Sequence, residues 1–268
     1  MGLIEPPGLL WKKIIDASYS LNNRYMKLPF FILLCFCFLS CNQIKNKRQQ
    51  NQLSVAIPGD SLFVQSYQKI KDSIAAKRKE FSIKYPSANS LNHKNAVEEI
   101  SNYWINVISN ELYSKWKNTP WDFNGTTTQP QHGAIACGYF VNSLLQDMDL
   151  KINRTKLSVC AASQMMKTLT PQQRIINLSY LSYDSFNDKL KEYGKGVYII
   201  GLDFHTGFIV NDGIETWFIH SNYIGRKGVT KEPVLNSAAL RSSKTRWLIS
   251  LTNDKDFIER WLKGYTFS

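Results

Sequence analysis

Hydrophobic residues recur at helical spacing along the N-terminal half of this chain. Residues 61–83 carry apolar side chains among lysines and arginines, namely Leu62, Val64, Tyr67, Ile70, Ile74 and Phe81. Residues 95–116 place a second apolar set on one face, namely Val97, Ile100, Trp104, Val107, Ile108 and Leu112. Both patterns predict amphipathic helices with buried apolar faces. We therefore expect the aromatic residues of the second helix in the core, rather than on a surface that stacks against glycans.

A third helical pattern begins at a cysteine. Residues 133–141 read Gly-Ala-Ile-Ala-Cys-Gly-Tyr-Phe-Val, and apolar positions continue at helical spacing to Met148. Cys137 is therefore expected at or near a helix N-terminus, where free N–H groups and the helix dipole favour an anion. A thiol there can have its pKa lowered from ~8.5 to ~3.5–7.5, which predicts a thiolate at neutral pH. The alternative is that Cys137 is a small buried hydrophobic residue.

The C-terminal half changes to the pattern of a β-sheet. The predicted strands are residues 196–202, 205–210, 216–220 and 246–251. An Asn-Asp-Gly turn at residues 211–213 joins the second and third strands as a hairpin. Outside the sheet we expect a helix or flap within residues 151–169, helices at residues 180–193 and 256–262, and a polar loop at residues 221–243.

The predicted hairpin brings two histidines to the same edge of the sheet. His205 begins one strand, and His220 ends its antiparallel neighbour. If this sheet packs on the cysteine helix, the thiol and both imidazoles lie together. A cysteine nucleophile needs a base within hydrogen-bond reach and a polar group that orients the base. We therefore expect Cys137 to be the nucleophile, His205 the general base and His220 the group that orients it.

Zinc is the other chemistry that these three residues suggest. Neither a carboxylate nor a Cys-x-x-Cys pair accompanies them in the sequence, and structural zinc sites need such further ligands. We therefore expect no metal and no other cofactor.

The N-terminal sequence indicates an exported protein. Residues 1–40 contain a lysine and then a short apolar run, which is typical of a secretory signal. The ending Phe-Leu-Ser-Cys resembles a bacterial lipobox, which would make Cys41 the lipidated first residue of the mature protein; an N-terminal membrane anchor is the alternative. Met26 is the expected natural start, with residues 1–25 an over-extension. The predicted location is a bacterial membrane, on its periplasmic or external side.

The rest of the chain is predicted to be a tether and one domain. Residues 41–53 are polar and basic, as in a flexible tether, and residues 54–268 contain enough apolar material for one core. The net charge of +12 suits an anionic neighbour such as cell-wall polymer or lipid headgroups. Export argues against nucleic acid as a partner. Of five cysteines, Cys137 and Cys160 remain in the domain, and a disulfide between them is the rival to a free nucleophile.

The loop before Cys137 carries a family resemblance. Residues 120–125 read Pro-Trp-Asp-Phe-Asn-Gly and lead through a proline and a glycine to Ala-Cys-Gly-Tyr. This resembles the NlpC/P60 family of papain-like cysteine peptidases, which typically show Pro-Tyr-x-Trp-Gly-Gly before Asp-Cys-Ser-Gly and an apolar helix. The runs His-Thr-Gly-Phe-Ile-Val and Phe-Ile-His are similar to the histidine strands of that family.

The resemblance implies an α+β fold of the papain-like NlpC/P60 type. In such a fold the nucleophile helix packs on an antiparallel sheet, here with added N-terminal helices in residues 54–118. The implied activity is that of a cysteine peptidase or amidase, which cleaves a peptide or amide bond in peptidoglycan through Cys137, His205 and His220. An amidase or acyltransferase acting on lipid or another amide is an alternative. So is a non-catalytic surface-binding lipoprotein that keeps the fold and a structural disulfide.

Further residues are candidates for the cleft. The backbone N–H of Cys137 is a candidate oxyanion donor because it stands at a helix start. Gln131 resembles the oxyanion glutamine that precedes the nucleophile in papain-type enzymes, and an exposed loop amide is the alternative. Trp121, which stands at the tyrosine position of the family motif, and His132 are lower-ranked candidates for lining the cleft.

Overall fold

The computed structural model describes residues 58–87, 89–92 and 94–268. The predicted leader, Cys41 and the predicted tether lie outside these residues. The described residues belong to one compact unit, Ser54–Ser268. Within the described ranges, no helix has both the length and the apolar character needed to cross a bilayer.

Two long helical segments come first, where the hydrophobic pattern predicts them. Helix α1 spans Pro58–Lys84. Helix α2 (Lys94–Asn106), a π-helical turn (Val107–Leu112) and helix α3 (Tyr113–Trp116) then follow one another directly. Trp104 is only 1% exposed, which confirms that the aromatic face of this segment belongs to the core.

The helix of the candidate nucleophile follows an irregular loop. Helix α4 spans Cys137–Asp147, so the cysteine is its first residue, as predicted. After it come a short strand β1 (Lys151–Ile152) and two short helices, α5 (Arg154–Val159) and α6 (Ala162–Leu169). These two helices occupy the segment for which the sequence predicts a helix or flap.

The main sheet of the described residues is antiparallel. Its strands are β2 (Ile176–Asn177), β3 (Gly196–Leu202), β4 (Thr206–Asn211), β5 (Thr216–Asn222), β6 (Gly228–Pro233) and β7 (Arg246–Ser250). Their order across the sheet is β2-β7-β3-β4-β5-β6, and every neighbouring pair runs antiparallel. A separate parallel pair joins β1 to β8 (Thr266–Phe267).

The predicted hairpin is confirmed. Strands β4 and β5 pair from Asn211 opposite Thr216 inwards. The turn forms because the side chain of Asn211 accepts a hydrogen bond from the N–H of Gly213 at 2.9 Å, and Gly213 has φ +94°, which glycine adopts without strain.

Helices cover both faces of the sheet. On one face α4 packs against β4 and β5, and its Phe140 shares a core with Phe208 and the N-terminal helices. On the other face lie α7 (Tyr183–Glu192) and α8 (Ala238–Ser242), whose apolar residues pack against Phe218. Helix α9 (Lys255–Leu262) completes the fold. The architecture is α+β, with the sheet between two helical layers.

The prediction of a loop at residues 221–243 is wrong. This segment contains strand β6 and helix α8. Strand β6 is the last strand of its sheet, and from Thr230 to its end its residues are only partly buried. An edge strand accommodates charged residues such as Lys231 and Glu232, so it lacks the apolar alternation that identifies a strand in the sequence.

Candidate active site

The start of α4 is held in place by the loop before it. The preceding residue, Ala136, is extended (φ −78°, ψ 159°), and its N–H donates to the carbonyl of Gly125 at 2.8 Å. The N–H of Ile135 donates to the carbonyl of Pro120 at 2.9 Å. A Cβ on Gly125 would lie 2.5 Å from the Ile135 nitrogen, so only glycine permits this approach. The last residue of the Pro-Trp-x-Phe-x-Gly motif, Gly125, is therefore the one whose carbonyl fixes the residue before Cys137.

The same loop is attached to the histidine strand. The hydroxyl of Ser221, the residue after His220, donates to the carbonyl of Ile135 at 2.6 Å. Deeper in the helix, the rings of Phe140 and Phe208 meet edge to face with centroids 6.4 Å apart. The helix start and the strand end are therefore fixed to each other.

The sulfur of Cys137 lies against the strand that begins after His205. The N–H of Thr206 faces the sulfur, as do those of Gly138 and of Cys137 itself. In the described residues, no hydrogen bond joins this sulfur directly to either imidazole. The backbone of Thr206 is thus the link between the thiol and the histidine.

The predicted thiolate is wrong for this resting arrangement. Cys137 keeps some exposed surface, but burial of its sulfur raises the pKa of the thiol above its ordinary value. The three N–H groups lower that pKa, and they do not offset the burial. The helix start therefore stabilises negative charge less than the lost hydration does, and the group at neutral pH is the thiol.

The two imidazoles are in contact, as the hairpin predicts. His205 Nε2 and His220 Nδ1 lie 2.7 Å apart, and the rings meet at 73°. His205 is 5% exposed and His220 is fully buried. Burial, together with His220, holds the pKa of His205 well below its ordinary value, and burial likewise lowers the pKa of His220. Both rings are therefore neutral at neutral pH.

A glycine makes room for this pair. A Cβ on Gly207 would lie 2.6 Å from the ring of Phe218 and 2.8 Å from the Cβ of His220. The Phe218 and His220 rings are stacked with centroids 3.9 Å apart. The glycine two residues after His205 is therefore needed for His220 to lie where His205 can reach it.

Two residues at the site were not predicted. Glu232 Oε1 lies 3.3 Å from His220 Nε2, on the side of the ring opposite His205. The ring of Tyr223 meets the ring of His205 with centroids 5.0 Å apart. Both residues lie in the segment that the sequence predicts as a loop, so nothing in the pattern directed either side chain to the histidines.

The cleft candidates have different positions. Trp121 is half-buried, and its ring lies 6.2 Å from that of Tyr223, which separates it from His205. The side-chain amide of Gln131 is exposed and donates to the carbonyl of Lys115 at 3.1 Å. His132 Nδ1 lies 3.1 Å from the carbonyl oxygen of Pro130. Trp121 thus belongs to the aromatic surroundings of the site, whereas the Gln131 amide has a partner away from it.

The second cysteine is a separate thiol. Cys137 and Cys160 are both free and partly exposed, and the Cys160 thiol donates to the carbonyl of Leu157 at 3.3 Å. Burial raises the pKa of Cys160 as well. Helix α5 nevertheless lies close to Cys137, since a Cβ on the next residue, Gly138, would be 2.4 Å from the carbonyl oxygen of Ser158. Within the described residues, no group of three or more histidine, cysteine or acidic side chains could hold a metal ion.

Comparison of the chain with models of protein families, with curated proteins and with solved structures found no match. The chemistry of the site therefore follows from its own groups. Nucleophilic acyl transfer needs a nucleophile, a base and a group that orients the base. The site offers a thiol at a helix start, a neutral imidazole on the residue before Thr206 and a second imidazole in contact with the first.

Proposed function

We propose that this protein is an exported cysteine hydrolase that cleaves a peptide or amide bond in peptidoglycan. Cys137 is the nucleophile, His205 the general base and His220 the residue that positions the base. One observation carries this proposal: the Cys137 sulfur faces the N–H of Thr206, directly after a histidine whose Nε2 lies 2.7 Å from His220 Nδ1. The fold that we propose is the papain-like NlpC/P60 type, in which the same order of cysteine, histidine and polar residue is expected.

The reaction begins from neutral groups. As the Cys137 sulfur attacks the carbonyl carbon, its proton passes to His205, which becomes an imidazolium. The tetrahedral intermediate carries its negative charge on the former carbonyl oxygen, and the Cys137 N–H at the helix start is the candidate donor to that oxygen. The imidazolium then gives its proton to the leaving amine, and a thioester remains on Cys137.

A water molecule completes the cycle. His205 removes a proton from the water, whose oxygen attacks the thioester carbon. The carbon–sulfur bond breaks, the sulfur recovers a proton from His205, and a carboxylic acid leaves. Each group returns to its starting state, so the reaction consumes only water and the scissile bond.

The resemblance to the NlpC/P60 family implies this substrate, and the predicted location and the charge are compatible with it. A leader that resembles a secretory signal and precedes Cys41, and a net charge of +12 for the full chain, suit an enzyme that works next to an anionic cell-wall polymer. The free thiols of Cys137 and Cys160 favour this proposal over a binding protein in which these two residues form a structural disulfide.

The test is the digestion of isolated peptidoglycan by the full chain, with mass analysis of the released fragments. We expect fragments with new amine and carboxyl ends from the wild-type protein and from the matched thiol variant Cys160→Ser. We expect none from Cys137→Ala. Equal release from Cys137→Ala and wild type would overturn the proposed nucleophile, and intact peptidoglycan in all reactions would overturn the proposed substrate.

A further inference from the structure

An acidic side chain extends the histidine pair to a row of three groups. Glu232 Oε1 lies 3.3 Å from His220 Nε2, and His220 Nδ1 lies 2.7 Å from His205 Nε2. The side chain of Glu232 is 15% exposed, whereas that of His220 is fully buried. Glu232 therefore reaches from strand β6 into a region where an unpaired polar atom would be costly.

Glu232 is held in this position as a carboxylate. Burial raises its pKa, but hydrogen bonds from His220 and Ser237, together with the nearby charge of Lys227, leave the pKa below its ordinary value. Ser237 is itself fixed, since it is fully buried and caps α8 by accepting from the N–H of Leu240 at 3.3 Å. The acid is thus ionised at neutral pH, and an ionised carboxylate can only accept hydrogen bonds.

This acceptor determines where the ring protons are. Because Glu232 accepts, His220 must carry its proton on Nε2. A neutral imidazole has one N–H, so His220 Nδ1 is an acceptor. His205 must then donate to it from Nε2. The remaining nitrogen, His205 Nδ1, keeps its lone pair.

We propose that Glu232 is a positioning residue, whose carboxylate fixes both imidazoles as Nε2–H tautomers and so keeps Nδ1 of His205 ready to accept the thiol proton. The functional part of this proposal rests on the proposed cysteine hydrolase. With the opposite tautomer, His205 would carry its proton on Nδ1 and could not act as a base there. The ring protons do not move along the row during the reaction; the thiol proton alone is transferred.

A merely structural role for Glu232 predicts something different. The carboxylate would then hold β6 beside β5 (Phe218 is paired with Glu232 across these strands) without any preference between tautomers. Proton positions and thiol reactivity distinguish the two roles, and neither measurement needs a known substrate.

The first measurement is the nitrogen NMR spectrum of the full chain with ¹⁵N-labelled histidines. The chain has four histidines, and the signals of His205 and His220 are assigned by single His→Gln variants. At neutral pH we expect both rings to show a protonated Nε2 and an unprotonated Nδ1. A protonated Nδ1 on either ring of the wild-type protein would overturn the proposal, and this test needs no substitution of Glu232.

The second measurement compares Glu232→Gln with wild type, both carrying Cys160→Ser. Because the full chain has three further cysteines near its N-terminus, alkylation is followed on the peptide that contains Cys137. A glutamine can donate or accept, so the preference for one tautomer is lost. We expect a population of His205 protonated on Nδ1 and a fall of about tenfold or more in the rate of Cys137 alkylation by iodoacetamide. Unchanged tautomers together with an unchanged rate would overturn the proposal.

The pH profile of alkylation adds a second signature. Among the residues that the structure describes, the charged groups that act on His220 are Glu232 and Lys227, and the positive charge of Lys227 lowers the pKa of His220. His205 faces His220, and the ring of Tyr223 meets that of His205. Removal of the only negative charge among them destabilises the protonated pair. The acid limb of the profile in Glu232→Gln should therefore move to lower pH. An acid limb that stays in place would show that the Glu232 charge does not act on the imidazoles, and would count against the proposal.

Two further variants serve as controls. Glu232→Asp retains the charge and should recover part of the lost rate, and Glu192→Gln removes an exposed carboxylate on α7 and should react like wild type. Failure of recovery in Glu232→Asp, with its fold intact, counts against the role of the charge. Because these readouts are independent of hydrolysis, an enzyme that leaves peptidoglycan intact but shows the expected tautomers refutes the substrate and supports the role of Glu232.

Discussion

Cys137 stands at the first residue of a helix, next to three N–H groups, and its pKa is nevertheless raised by burial. His205 and His220 are neutral for the same reason. The residues therefore rest as a thiol and an imidazole, and in the proposed reaction charge separates only when the sulfur attacks. Reactivity then depends on the base, because the sulfur is not activated in advance.

This dependence gives a prediction for the histidines. In a Cys160→Ser background, His205→Ala should slow the alkylation of Cys137 by iodoacetamide about 100-fold at pH 7.5, since general-base assistance contributes ~10²–10⁴. His220→Ala should slow it less, about tenfold, because water can partly replace a group that only orients the base. The measurement is the pseudo-first-order alkylation rate, followed by mass spectrometry.

Each variant needs a check on its fold, since both histidines are buried. The exposed residue Tyr180 provides a matched control, because Tyr180→Ala should leave the rate unchanged. An alkylation rate in folded His205→Ala equal to that of wild type would contradict the assignment of His205 as the base.

The sequence is informative about some of these residues and not others. The contact between the two histidines could be predicted because a hairpin turn sets their relative positions, and the position of Cys137 at a helix start because a helix pattern begins there. That this helix packs against the sheet was an assumption. Glu232 could not be predicted, because β6 is an edge strand and contains polar residues. The direction of the Cys137 pKa was also beyond prediction, since the sequence identifies the helix terminus but not how much water the packed sheet excludes.

At the scale of elements, strand β6 has a glycine at its first residue that the loop before Cys137 approaches closely. Gly228 has φ +73°, and a Cβ there would lie 2.3 Å from the carbonyl oxygen of Thr119. The N–H of Val229 donates to that same oxygen at 2.9 Å, and the N–H of Asn118 donates to the carbonyl of Val229 at 3.0 Å. The strand is thus paired with β5 on one side and attached to the loop on the other.

A pair of glycine variants tests this contact. Gly225 also has positive φ (+62°), but open space surrounds the position of its Cβ. Gly225→Ala should therefore cost only the backbone term, ~1–2 kcal/mol. Gly228→Ala adds a clash with backbone and should cost roughly 3 kcal/mol or more. The measurement is the free energy of unfolding in urea; equal costs for the two variants would contradict the close contact.

The elements were predicted unevenly for a physical reason. The segment from Lys94 to Trp116 and the hairpin have strong periodicity, because each buries an apolar face, and these were predicted correctly. Helix α1 also forms where predicted, but it buries only part of its apolar pattern: Ile74 and Phe81 are fully buried, whereas Leu62 is 66% exposed and Val64 is 40% exposed. Strand β6 has few apolar positions, and its Glu232 contacts His220 and Ser237, which lie outside the strand. Such elements depend on tertiary contacts that a local pattern does not contain.

At the scale of the whole molecule, the buried histidines should make stability depend on pH. The unfolded chain protonates both rings below pH ~6.5, whereas burial keeps His205 and His220 neutral in the folded protein to lower pH. The unfolded state then binds more protons, so the free energy of unfolding falls as the pH falls below about 6.5. We expect a loss of about 2 kcal/mol between pH 7.5 and pH 5.5, measured by urea unfolding.

Asp147 acts in the opposite direction. Burial raises its pKa to about 6, so the folded state takes up a proton there before the unfolded state does, and this favours folding as the pH falls through that value. Asp147→Asn should therefore make the acid loss larger, and a His205→Gln, His220→Gln double variant should make it smaller. The same pH dependence in all three proteins would refute the histidines as its source.

One stretch of six residues secures both partners of the proposed chemistry. Strand β6 places Glu232 beside His220. At its start, Val229 forms hydrogen bonds with the loop that leads to Cys137. If strand β6 detaches from the sheet, the alignment of His205 and the position of the Cys137 sulfur are lost together. The proposed activity should therefore be lost in one step when strand β6 detaches, and it should return only when the strand pairs again.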